Sequence, residues 1–128
     1  MIRDVALGRP TVLNMTKDLS SRIQLIYNAD MARAFVAAMV GPSTPLSLYN
    51  APVVDTITWQ DVINTLQELV PGARISHEAP SGGWDTALVD GSAAQRDLGV
   101  IPQTDFRAGA AEMIALFREQ ESKTFPVA

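Results

Sequence analysis

The spacing of hydrophobic positions changes period several times along this chain, and each change marks an element. Ile2, Val5 and Ala6 fall on one side of a short helical pattern ended by Gly8 and Pro10. Glycine takes the left-handed position after a helix, and proline disfavours helix before it. Val12 to Met15 is a brief apolar run, and after the polar stretch Thr16 to Ser21 the segment Arg22-Ile23-Gln24-Leu25-Ile26-Tyr27 has the composition of a strand. Helical spacing returns at Met31, Phe35, Ala38 and Met39, with Asn28 or Asp30 placed to accept the first free amides and Gly41-Pro42 to stop the helix. Leu46 to Asn50 then reads as a short buried strand entering a loop at Ala51-Pro52.

The second half of the chain is punctuated more sharply. Thr58 and Asp61 form a capping pair in front of Trp59, Val62, Ile63, Leu66 and Leu69, an amphipathic stripe that Pro71-Gly72 breaks. Arg74 to Glu78 alternates as a strand, and a second short strand is predicted near Ala87 to Val89, beyond the turn Pro80-Ser81-Gly82-Gly83. Ser92 with Gln95 predicts another capping box, opening a short helix over Ala93 to Leu98 that Gly99 closes. Thr104 or Asp105 caps a last helix with the stripe Phe106, Ala110, Met113, Ile114 and Phe117. The expectation is a mixed α/β chain in which short strands alternate with four to five helices. Residues 1–120 read as one domain and 121–128 as a frayed tail.

Composition narrows the chemistry. A net charge of -4, with eight Arg and two Lys scattered along the chain, gives no basic patch for nucleic acid or anionic lipid. With no Cys, disulfides, thiolate metal sites and a cysteine nucleophile are excluded, which fits a cytoplasmic setting. The run Ala34 to Val40 is too short to cross a bilayer, and MIRDVALG lacks the build of a signal peptide, so no membrane partner is expected. His77 is the single histidine, so no His pair or His-based triad can form, and it is expected to be a solvated strand residue.

Three segments, in order, resemble the carboxyl-terminal portion of the extended short-chain dehydrogenase/reductases, the NAD-dependent epimerase/dehydratase group. The first is Arg22 through Ala34, a strand entering a helix that Asp30-Met31-Ala32 opens. The second is Leu48-Tyr49-Asn50-Ala51-Pro52 followed by Thr56 through Val62, and the third is Asp90-Gly91-Ser92 through Leu98-Gly99 and Pro102. The match runs from Met1 to about Glu119. It implies a substrate-binding domain without the Rossmann half that grips a dinucleotide. A Rossmann grip needs a glycine-rich turn between strand and helix, and Gly82-Gly83 precede Trp84 and a strand instead. The resemblance also implies a catalytic Tyr with Lys four positions later, but four beyond Tyr27 stands Met31 and four beyond Tyr49 stands Val53. No catalytic, cofactor-binding or metal residue is therefore assigned to this chain. NAD or NADP belongs to the complete enzyme, with the Rossmann-type domain supplied upstream or by another chain.

The same resemblance nominates substrate contacts. Arg22 lies near the place where relatives hold an Arg against a nucleotide-sugar phosphate, although counted back from Asp30 it stands one residue too far and Ile23 takes that place; a surface salt bridge is the plainer expectation. Val12 and Leu13 fall in a segment that lines the pocket in relatives, against ordinary hydrophobic packing, and Trp84 is either an aromatic cover or a plug at a core edge. Asp30, Asp61 and Asp90 adjoin helix starts and read as caps. The implied function is the substrate-binding region of an epimerase, dehydratase or dehydrogenase acting on a sugar, nucleotide sugar or related hydroxyl compound, inactive alone. The other reading is a non-catalytic interaction module of the same fold. Because the Tyr49 strand would lose its sheet neighbour, association into a homodimer or with another chain is expected.

Overall fold

A computed structural model describes residues 1–41, 46–81 and 87–124. Its elements are α1 (Ile2–Ala6), β1 (Thr11–Leu13), β2 (Arg22–Ile23), α2 (Asn28–Val40), β3 (Ile57–Thr58), α3 (Trp59–Leu69), β4 (Ile75–His77), α4 (Ser92–Leu98) and α5 (Phe106–Thr124). Among the described residues, five helices and a few very short strands make it the mixed α/β chain that the sequence implies. The chain forms two compact units, each assembled from separated stretches: Met1–Ser21, Ile57–Asp85 and Arg107–Ala128 in the first, Arg22–Thr56 and Thr86–Phe106 in the second.

The first unit owns most of the core. β1 pairs in parallel with β4, Thr11 opposite Ile75 and Leu13 opposite His77, so two strands far apart in sequence share one ladder. The side chains of Val5, Leu13, Val62 and Leu66 are fully enclosed there, joined by Trp59, Ile63, Ala110 and Ile114. α3 starts where the sequence says it should. The Thr58 hydroxyl accepts the Asp61 N–H at 3.1 Å while the Asp61 carboxylate accepts the Thr58 N–H at 2.8 Å, a reciprocal cap. The short α1 is finished by a side chain from α5: Arg118 Nε donates to the Ala6 carbonyl at 3.0 Å, satisfying an end group that has no partner inside the helix. α5 continues through Thr124, into the stretch expected to fray, with Arg9 paired to Glu121 at 3.1 Å and Lys123 to Glu119 at 2.6 Å.

Several expectations are corrected in the same unit and the next. His77 is half-buried rather than solvated, and its Nε2 lies 2.8 Å from the Thr16 carbonyl, to which it donates. In the second unit the strand over Arg22 to Tyr27 stops at Ile23. Neither Leu46 to Asn50 nor Ala87 to Val89 forms a strand. Side chains take over the work of a ladder there: Gln24 accepts the Val89 N–H at 2.7 Å through Oε1 and donates to the Val89 carbonyl at 3.1 Å through Nε2. This amide clamp reproduces with one side chain the two bonds that a neighbouring strand would make.

The caps are also redistributed. α2 begins after Tyr27 without a side-chain cap, and Ser92 is the first residue of α4 rather than its cap, following Gly91. The Asp90 carboxylate accepts both the Ser92 N–H at 2.9 Å and the Ser92 hydroxyl at 3.0 Å, so the acid does what the serine was expected to do. Gly99 closes α4 in the left-handed conformation with φ of 66°, as the Leu-Gly pair implies.

Candidate functional site

In the second unit, the loop after Asn50 and the segment before α4 come together to form an open cleft of about 270 Å³, lined by Gln24, 52–56, 89–92 and Gln95. Its back wall is built by close approach. A Cβ placed on Gly91 would fall against Pro52 Cα and only 2.7 Å from Pro52 N, so the 91 position has room for glycine alone. Asn50 Nδ2 donates to the Asp90 carbonyl at 3.3 Å and the Gln24 clamp holds Val89, which fixes the 89–91 rim from both sides.

Among the described residues, the cleft lining contains amides, hydroxyls and carboxylates and no Lys or Arg. Burial, reinforced by the nearby charge of Asp105, holds the Asp55 carboxyl above the usual carboxylate range. Asp90 moves the other way, because the Ser92 backbone and hydroxyl bonds stabilise its ionised form. A ring of this kind can hold hydroxyl groups or an ammonium through hydrogen bonds, and its charge opposes a diphosphate.

The residues nominated from sequence fall in different units. Val12 and Leu13 lie in the first unit, on β1. Val12 is half-exposed, whereas the Leu13 side chain is fully enclosed in the core and its carbonyl accepts the Glu78 N–H at 3.0 Å. Arg22 opens β2 in the second unit, exposed, and joins no ion pair among the described residues. The position seven before Asp30 is Ile23, which is buried. Trp84 lies outside the described residues.

Gln24, Asp55 and Gly91 were not nominated by sequence reasoning. The only signal available was the glycine between Asp90 and Ser92, which reads equally well as part of a helix start. Asp30 was read as a cap for its own helix. It is instead buried and accepts the backbone N–H groups of Gln103 at 2.9 Å and Thr104 at 3.0 Å, with Arg33 as its ionic partner.

Comparison with solved structures places this arrangement. A partial consensus L-threonine 3-dehydrogenase matches 92% of the chain at 24% identity with a TM-score of 0.76. An L-threonine dehydrogenase from Cupriavidus necator matches 90% at 25% identity with a TM-score of 0.74. A Bacillus cereus UDP-glucuronic acid 4-epimerase, solved with UDP-glucuronic acid and NAD, matches 93% at 18% identity with a TM-score of 0.75. This chain has the fold of part of an extended short-chain dehydrogenase/reductase. It spans about two-fifths of each of these enzymes, 40%, 39% and 38% respectively. No family model and no curated protein matches the sequence.

A pyrophosphate is gripped by backbone amides at a glycine-lined turn from strand to helix. The turn from β2 to α2 is Gln24-Leu25-Ile26-Tyr27, and β3 runs directly into α3, so these two junctions carry no glycine, while Gly82-Gly83 in the connection from β4 to α4 lie outside the described residues. Among the described residues no cluster of His, Cys, Asp or Glu could hold a metal ion, and no helix is long and apolar enough to cross a membrane.

Proposed function

We propose that this chain is the substrate-binding, carboxyl-terminal part of an NAD- or NADP-dependent dehydrogenase or epimerase, and that its ligand is a small hydroxyl-bearing compound. One observation carries the reading: at least nine-tenths of the chain superimposes on two L-threonine dehydrogenases and on an epimerase holding UDP-glucuronic acid and NAD. A dinucleotide-binding portion, upstream or in another chain, supplies the redox chemistry, and the present part selects the substrate. Alone it does not catalyse.

Two substrate classes follow from the same relatives. A nucleotide sugar is supported by the epimerase and by the exposed guanidinium of Arg22, a planar donor suited to phosphate that joins no ion pair among the described residues. A hydroxy amino acid such as L-threonine is supported by the higher identity to the two threonine enzymes, by the buried Ile23, and by a cleft whose described lining residues include no cationic side chain.

Heteronuclear NMR titration of the purified chain with UDP-glucuronic acid, and separately with L-threonine, tests the reading. Saturable shifts with one ligand are expected, abolished by Arg22→Ala if the ligand is the nucleotide sugar. If the ligand is threonine, the shifts are centred on residues 52–56 and 89–92. Absence of saturable shifts with either compound counts against the proposal.

A further inference from the structure

The side chains around the cleft of the second unit divide by whether they are already engaged. Among its described lining residues six carry polar side chains: Gln24, Asp55, Thr56, Asp90, Ser92 and Gln95. Three of them build the rim. Both ends of the Gln24 amide are taken by the Val89 backbone, and the two Asp90 oxygens accept the N–H and the hydroxyl of Ser92. The other three, Asp55, Thr56 and Gln95, make no side-chain hydrogen bond or ion pair with another described residue.

Those three groups describe a ligand. An ionised carboxylate only accepts, a hydroxyl both donates and accepts, and an amide offers one acceptor and two donors. The strongest complement to the carboxylate is a cation that donates, and a neighbouring hydroxyl serves the other two. Electrostatics selects the same partner, because the charge of Asp105 lies near Asp55 and the described lining holds no cation to offset either acid. Pro52, Val53, Val54 and Val89 supply an apolar wall, with Val54 47% and Val89 44% exposed, against which a short hydrocarbon chain can lie. At about 270 Å³ the cleft is smaller than the roughly 300 to 1,000 Å³ of sites that take drug-sized molecules, so its occupant is small.

We propose that Asp55 is the specificity-determining residue of this cleft, holding the ammonium of a small aliphatic amino alcohol whose hydroxyl meets Thr56 and Gln95. The inference rests on the reading of this chain as a substrate-binding part, and it narrows the ligand from hydroxyl compounds in general to those bearing an amine. A carboxylate on the ligand gains nothing from these walls, so the amine and the hydroxyl are the recognised pair.

Heteronuclear NMR titration of the purified chain with 1-amino-2-propanol and with propane-1,2-diol tests the assignment, since the two compounds differ only in an ammonium exchanged for a hydroxyl. The wild type is expected to bind the amine at least about 10-fold more tightly than the diol, with shifts centred on residues 53–56 and 90–95. Asp55→Asn is expected to remove that preference, while Glu112→Gln, which deletes the same charge from an exposed position on α5, is expected to keep it. Circular dichroism checks that both variants fold, and the comparison of amine with diol on the wild type needs no variant. Equal affinity for the two compounds, or a preference that survives Asp55→Asn, overturns the assignment and leaves the substrate reading in place. Binding of neither compound overturns it as well, and the substrate reading is then decided separately by UDP-glucuronic acid and L-threonine.

Discussion

The carboxylate of Asp30 accepts the backbone N–H of Gln103 at 2.9 Å, tying the first turn of α2 to the segment before α5 across 73 residues of sequence. Its other oxygen takes the Thr104 N–H, and Arg33 balances the charge. Burial opposes ionisation here, yet the bonds from Gln103, Arg33 and Thr104 outweigh it and hold the Asp30 carboxyl below its ordinary value of 3.8. A depressed carboxyl contributes stability that is complete above its unfolded value and is lost as pH falls through the folded one. Asp30→Ala, which strands two backbone amides, is expected to lower unfolding free energy by about 2 to 3 kcal/mol at pH 7. Urea denaturation at pH 7 and again below pH 3 checks this, with the gap between wild type and variant shrinking in acid.

Gly91 makes a different kind of demand. The obstacle to a side chain there is the Pro52 backbone, which has no rotamer to move aside. Gly91→Ala is expected to cost about 1 to 3 kcal/mol and to disturb the cleft rim, whereas Gly72→Ala, with nothing within 4 Å of the added carbon, carries only the strain of its positive φ. The two thermal midpoints, measured side by side, separate crowding from backbone conformation.

Asp55 has the opposite sign to Asp30. Burial and then the Asp105 charge raise its carboxyl above 3.8, so the folded state holds its proton more tightly than the unfolded chain. Stability from this group therefore falls as pH rises from 3.8 through the folded value and stays lower above it. Asp55→Asn is expected to unfold at a higher temperature than wild type at pH 7 and to lose that advantage below pH 3.8. Calorimetry across that range reads the effect; an asparagine variant less stable at pH 7 would show that the carboxylate is needed in charged form.

The sequence made the helices legible because their signals are local. The Thr58 and Asp61 pair, the stripe behind it and the Leu98-Gly99 stop each depend on residues within one or two turns, and each stands where it was read. Long-range pairing was not legible. Nothing near Thr11 announces Ile75 as its neighbour, and nothing near Gln24 announces that its amide will stand in for a strand against Val89. Asp30 shows the limit well: an acid at a helix start looks like a cap whether it serves its own helix or a segment 73 residues away. The α2 stripe misled in another way, since spacing reveals that a face is apolar but not what covers it. For the site, the resemblance located the right fold, while the cleft residues stayed hidden because close approach of Gly91 to Pro52 leaves no mark in the sequence.

The proposed division of labour has this chain bind substrate and leave the dinucleotide to another portion, in keeping with the absence of glycine from the β2–α2 and β3–α3 junctions. Calorimetric titration of the purified chain with NAD tests this most directly. No saturable heat is expected up to millimolar cofactor, and addition of a dinucleotide-binding portion is required before any hydride transfer is seen. Saturable micromolar binding by the 128 residues alone would contradict it.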